Sequence, residues 1–149
     1  GAAYNWLNVA PSGYFNFING TLTPIPFNTQ VYSVGGINFN PTPATCEFVV
    51  PSTGVYRLSL NLHFFDLFGD IDMLAGVYNA GGGAVVAGII DQKDVTGNTD
   101  QNFFGQVVVE LQALSGYEFR ALFSGGSGQS PFPSDTNNLY TSFEIERVG

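Results

Sequence analysis

Positive charge is what this chain has least of. Only Arg57, Lys93, Arg120 and Arg147 are cationic against twelve carboxylates, for a net charge of −8 at pH 7. A nucleic-acid binder needs a basic footprint to neutralise phosphates, so that class is excluded. An anionic membrane surface would repel the chain. Cys46 is the lone cysteine, which rules out an intrachain disulfide, a C-x-x-C redox motif and a multi-cysteine zinc site. His63 is the lone histidine. No apolar run approaches the roughly 18 residues of a membrane-spanning helix. The N-terminus lacks the basic and apolar regions of a secretory signal. Gly1-Ala2-Ala3 reads as a scar or cut point, so the chain is expected to be one domain of something longer, with any targeting signal elsewhere.

Helix signals are nearly missing too. Nineteen glycines and eight prolines are spread through 149 residues, and no long stretch has a 3.6-residue period. What is present is period-two alternation. In Gly54–Phe64, Tyr56, Leu58, Leu60, Leu62 and Phe64 point one way, while Val55, Arg57, Ser59, Asn61 and His63 point the other. That pattern predicts a strand with one core face and one polar face. Further strands are predicted at Tyr14–Asn19, Phe27–Val34, Thr45–Val50, Ile71–Asn79, Ala84–Asp91, Phe103–Ala113, Gly116–Ser124 and Leu139–Arg147. Gly35-Gly36, Asn40–Pro43, Pro51–Gly54, Ala80–Gly83, Thr96–Asp100 and Ser124–Asn138 have turn or loop chemistry. Short, evenly spaced strands with such turns predict an all-β sandwich or jelly roll. Charged residues make up 11% of the chain, where an ordinary soluble domain has about 25%. Either much of the surface is buried in an oligomer or the protein works outside the cell.

One set of motifs is more specific. Phe27-Asn28 opens a strand and Asn38-Phe39-Asn40-Pro41 follows it. Phe48-Val49-Val50-Pro51 then leads into Gly54-Val55-Tyr56 at the head of the longest alternating strand. Val107–Leu111 runs into Ser115-Gly116, and Ser142-Phe143-Glu144-Ile145 closes the chain. Over roughly residues 14 to 147 this order resembles the complement component 1q/tumour necrosis factor jelly-roll family, with Phe27, Asn28, Gly54, Tyr56 and Phe143 as its markers. Gly116-Tyr117 stands where the family often has Gly-Asp, and Thr141-Ser142-Phe143 where it often has Ser-Gly-Phe. These departures point to a distant branch of the bacterial or viral fibre-tip or collagen-tip kind. The resemblance implies a ten-stranded antiparallel sandwich whose three copies pack around a three-fold axis. Residues 1–13 are then a lead-in, stalk end or remnant, and residues 14–149 the head. Gly54 is read as a tight-turn glycine, costly to replace if its φ is positive, and Tyr56 as a core anchor.

Aromatics on both faces of some strands agree with a trimer. Phe103 and Phe104 are adjacent, so only one can face the protomer core, and Tyr14 and Tyr140 alternate against other aromatics. These four are the expected interface residues, because an uncovered aromatic face usually marks an interaction surface.

Enzyme chemistry has little footing. His63 falls on a polar strand face and no nucleophile-elbow motif accompanies it. Cys46 reads as a small buried hydrophobe. There is no P-loop and no dinucleotide fingerprint. Asp66, Asp70 and Asp72 cluster around Gly69, and Asp91, Asp94 and Asp100 around Gly97 with Asn98. Such loops can hold calcium, although neither has EF-hand spacing, so solvated turn carboxylates are the simpler reading. No cofactor is expected. The reading is a non-enzymatic, extracellular head of a surface or fibre protein. It pairs with itself as a homotrimer and presents the loops Ala80–Gly83, Thr96–Asp100 (with Asn98) and Ser124–Asn138 (with Phe132) to a glycan or protein receptor, with no nucleic-acid partner and no membrane insertion. The alternative is a monomeric, calcium-assisted carbohydrate-binding jelly roll with Trp6, Tyr78 or Phe132 as its sugar platform. A cupin-type enzyme would need several metal-binding histidines.

Overall fold

The computed structural model describes residues 6–10, 20–25, 27, 29–40, 46–65, 70–81, 83–96, 100–125 and 141–149, with the backbone alone for 6–10, 29–32, 64–65, 94–96 and 100–101. Among these there is no helix. Eleven strands form: β1 (Trp6–Ala10), β2 (Thr23–Pro24), β3 (Thr29–Val34), β4 (Asn38–Asn40), β5 (Glu47–Val49), β6 (Gly54–Phe65), β7 (Asp70–Asn79), β8 (Val85–Thr96), β9 (Asp100–Leu111), β10 (Gly116–Ser124) and β11 (Ser142–Arg147). Strand β2 is a two-residue bridge to β10, so ten longer strands carry the fold. They form two antiparallel sheets, ordered β3-β1-β11-β6-β9 and β4-β5-β10-β7-β8. Neighbours far apart in sequence alternate between the sheets, which is the jelly-roll arrangement.

The period-two stretches became the long strands. Strand β6 buries Tyr56, Leu58, Leu60 and Leu62 completely while their alternates stay half-exposed. Strand β10 turns Tyr117, Phe119, Ala121 and Phe123 inward across from it. Phe143 of β11 stands between the sheets. Its ring centroid lies 4.5 Å from Phe119, 4.7 Å from Phe27 and 5.8 Å from Phe48. Facing sheets sit about 10 Å apart, and large rings fill that gap.

Several expectations need correcting. Residues 1–13 are not only a lead-in, because Trp6–Ala10 pairs with both β11 and β3 inside the first sheet. Strand β8 runs on to Thr96, so the turn expected at Thr96–Asp100 shrinks to 97–99. Gly54 does not have a positive φ. It is needed because a Cβ there would meet the Gly149 carbonyl at 2.8 Å and the Arg147 guanidinium at 3.1 Å. The strand expected at Tyr14–Asn19 and the marker Asn28 lie outside the described residues.

Strand order also defines two ends. The start of β1, the turns at Gly35-Gly36, 50–53, 80–84 and 112–115, and Gly149 gather at one end, the base. The base is laced by backbone bonds from Val55 N to Gly149 O (3.0 Å) and from Leu114 N to Val50 O (3.2 Å). Segments 66–69, 97–99 and 126–140 leave the sheets at the other end, the tip.

Phe143→Ala should cost about 3–5 kcal/mol, the range for emptying a ring from a packed core. Phe143→Leu should cost clearly less. Urea unfolding midpoints of the two variants check this.

Candidate functional site

The sandwich leaves one broad outward face on the first sheet, built by the same alternation that fills the core. Register aligns Ser142, Asn61 and Phe104 in one row across β11, β6 and β9. Glu144, Ser59 and Gln106 form the next, followed by Glu146, Arg57 and Val108. Phe104 is 58% exposed and Val108 55%, high values for large apolar side chains in mid-strand. Phe103 faces the opposite way. It is buried in its own core edge-on to Phe123, at 6.4 Å, which removes it from the expected interface set.

The centre of this face is polar and mostly uncharged. Gln106 Nε2 donates to Ser59 Oγ at 2.9 Å. A depression of about 350 Å³ is lined by Ser59, Asn61, Asn102, Phe104, Gln106, Ser142 and Glu144. Charge is pushed toward the base, where Arg57 Nη1 donates to Glu146 Oε2 at 3.4 Å and Gln112 Nε2 to Glu110 Oε1 at 2.9 Å. His63 sits half-buried toward the tip, its backbone N–H donating to Thr141 Oγ1 at 3.1 Å. Val108 was missed in the sequence, although the Phe104/Gln106/Glu110 alternation passes directly over it. Tyr14 and Tyr140 lie outside the described residues.

The expected recognition loops do not converge. Ala80–Gly83 sits at the base, where Ala80 N–H donates to Gly116 O at 3.0 Å. The strand ends Thr96, Asp100 and Ser124 lie at the tip, while residues 97–99 with Asn98 and 126–140 with Phe132 are outside the described residues. The aspartates come from tip-side strand ends. Asp70 and Asp72 are exposed on β7, Asp94 and Asp100 are in β8 and β9 with undescribed side chains, and Asp66 is outside the described residues. Among the described residues, no three His, Cys, Asp or Glu side chains gather into a metal-holding group.

The second sheet hides an ion pair that periodicity alone did not reveal. Glu118 is 1% exposed, and its Oε1 accepts from Arg120 Nε at 2.8 Å and also from Arg120 Nη2. The Arg120 guanidinium lies 5.8 Å from the Tyr78 ring centre, a cation–π contact. Tyr78 is therefore covered and is no sugar platform. The sequence signal was an acid and a base two apart on one strand face, but nothing in it marked their burial. Glu118 also acts on Cys46. Burial first, and then the Glu118 negative charge, push the Cys46 thiol up to about 11. A thiol so raised stays protonated at neutral pH and is no nucleophile.

No family model matches the chain, and no curated protein matches it in sequence. Solved structures do match in fold. Murine APRIL superposes with a TM-score of 0.65 at 11% identity, over 97% of this chain and 99% of that one, in crystals at pH 8.0 and at pH 5.0. Eiger TNF from S. frugiperda superposes with a TM-score of 0.66 at 13% identity, over 99% of this chain and 94% of that one. The chain thus has the jelly-roll fold of tumour necrosis factor structures.

The raised Cys46 pKa has a definite sign. Between pH 9.0 and about 11 the unfolded chain has lost the thiol proton and the folded chain keeps it, so stability falls as pH rises through that window. Urea midpoints at the two limits should drop further in the wild type than in Cys46→Ala. Equal drops would show that the thiol is not buried beside Glu118.

Proposed function

We propose that this chain is a non-enzymatic, trimerising recognition head, displayed outside the cell on a surface or fibre protein. Three copies meet across the outward face of the first sheet. The observation that carries this reading is the pair Phe104 and Val108, uncovered in mid-strand beside a neutral polar row. Apolar area of that kind is stabilised by exclusion of water when covered, at about 25 cal/mol per Å². Most of the neighbours are neutral hydroxyls and amides, which can be covered without stranding a charge, and Glu144 is the one charged side chain that lines the depression. The likeness to Eiger TNF supports the reading, because its fold presents the same sheet arrangement, and so does the family resemblance in the motifs from Phe27 to Tyr56.

Packing of this sort is heterologous, with the face of one copy meeting a different surface of the next, and a three-fold axis closes the ring. The ring points three tip ends the same way, so weak contacts to a repeated receptor or glycan add as avidity. The 97–99 turn with Asn98 and the 126–140 segment with Phe132 are the recognition loops in this scheme. Ala80–Gly83 lies at the base, where Ala80 bonds Gly116, and in this scheme faces whatever carries the head.

Light scattering after size exclusion should give three times the 16.0 kDa protomer mass for the wild type. Phe104→Asp should give a folded protomer of one-third that mass, because an exposed position accepts the change while a buried interface does not. A monomeric wild type would sink the proposal. So would a Phe104→Asp variant that stays trimeric.

A further inference from the structure

On the far side of the sandwich, the outward face of the second sheet has a smaller depression that the trimer reading does not use. It holds about 200 Å³ and is lined by Asp72, Leu74, Asp91, Lys93, Leu122 and Ser124, with Met73 and Gln92 of the same strands. Register explains its shape. Leu74 of β7 lies between Leu122 of β10 on one side and Asp91 of β8 on the other, and Asp72 sits opposite Ser124 one step toward the tip. Two leucines thus make an apolar floor, with Leu74 38% exposed in mid-sheet. Exposed carboxylates of Asp72 and Asp91 stand along its rim.

Electrostatics selects the occupant. Among the described side chains, Asp70, Asp72 and Asp91 are exposed on β7 and β8 of this face, against Lys93 alone. Arg120, on the neighbouring β10, is held by Glu118. The chain as a whole carries −8. Small-molecule pockets run from about 300 Å³ upward. A site of this size suits a single side chain. A side chain that lays an apolar stem on leucines and a positive head between carboxylates is an arginine or a lysine.

We propose that this depression docks a basic side chain from a segment of a partner protein, with the stem on Leu74 and Leu122 and the cation between Asp72 and Asp91. The site lies on the opposite sheet from Phe104.

The test uses the full chain and the peptide acetyl-Gly-Arg-Gly-amide, followed by amide chemical shifts in NMR. Saturable shifts are expected at 72–74, 91–93 and 122–124, weakening as salt is raised. Replacing arginine by citrulline, which has nearly the same shape and no charge, should weaken binding about twofold to fivefold, the size of one ion pair near a surface. Asp91→Asn should do the same, and Leu74→Ala should weaken binding by removing the floor. The first residue is exposed and the second partly so, which keeps the fold intact. Shifts that never saturate, that fall elsewhere, or that are equal for citrulline would each overturn the proposal. So would calcium chloride giving the same shifts and displacing the peptide, since that would mark a plain cation site.

Discussion

Everything in this molecule hangs on one ring, Phe143, wedged between two sheets. It comes from β11 of the first sheet and meets Phe119 and Phe48 of the second, with Phe27 closing the group edge-on. Phe48 also stacks on Phe119 at 5.4 Å. A sandwich has no backbone hydrogen bonds between its layers, so only side-chain packing fixes their spacing and angle. Once those rings set which face of each strand looks inward, the pleat decides every other side chain. Leu58 in means Arg57 and Ser59 out. Phe103 in means Phe104 out. The exposed aromatic is therefore a consequence of the core register.

Glycines finish what the rings begin. Gly105 lets β9 pass close to β8, since a Cβ there would lie 2.3 Å from the Ile89 carbonyl oxygen. The edge strands of the two sheets nearly touch at that corner. At the base, the Arg147 guanidinium bonds Ser52 Oγ at 2.6 Å and the Gly149 carbonyl at 3.2 Å, over the spot that Gly54 leaves vacant. The base is held by such bonds along both sheets. Toward the tip, His63 N–H donates to Thr141 Oγ1 at 3.1 Å and Gly20 N–H to the Phe123 carbonyl at 2.7 Å.

The sequence carried much of this openly. Strands β6, β7, β9 and β10 were legible because alternation over eight or more residues leaves little choice of structure or of buried face. Shorter elements were not. Strands β1, β2 and β4 span five, two and three residues and gain their form from neighbours distant in sequence. Strand β8 was read as ending at Asp91 because Gln92-Lys93-Asp94 is polar, and an edge strand tolerates polar residues that a central one does not. Phe104 was readable as one half of an ambiguous pair, and only the position of Phe123 decides which half. The end of the molecule to which a turn belongs follows from strand order, which composition does not encode. That is why Ala80–Gly83 was grouped with loops it never meets.

Scarce positive charge links the two outward faces. Of the four cations, Arg57 pairs with Glu146, Arg120 with Glu118, and Arg147 with Ser52 and the last carbonyl. Each serves the protomer itself. Lys93 alone lies at the rim of a surface depression. A chain with so few cations cannot build an interface on ion pairs with its own copies, because every acid brought to the seam would need a base the sequence lacks. The proposed self-contact accordingly uses a place where charge is thin, the Ser59–Asn61–Phe104–Gln106 patch, with Glu144 the one charged side chain lining it. The surplus carboxylates are left to other surfaces, among them the rim of the second-sheet hollow. One composition thereby leaves a thinly charged face on the first sheet and an acid-rimmed hollow on the second.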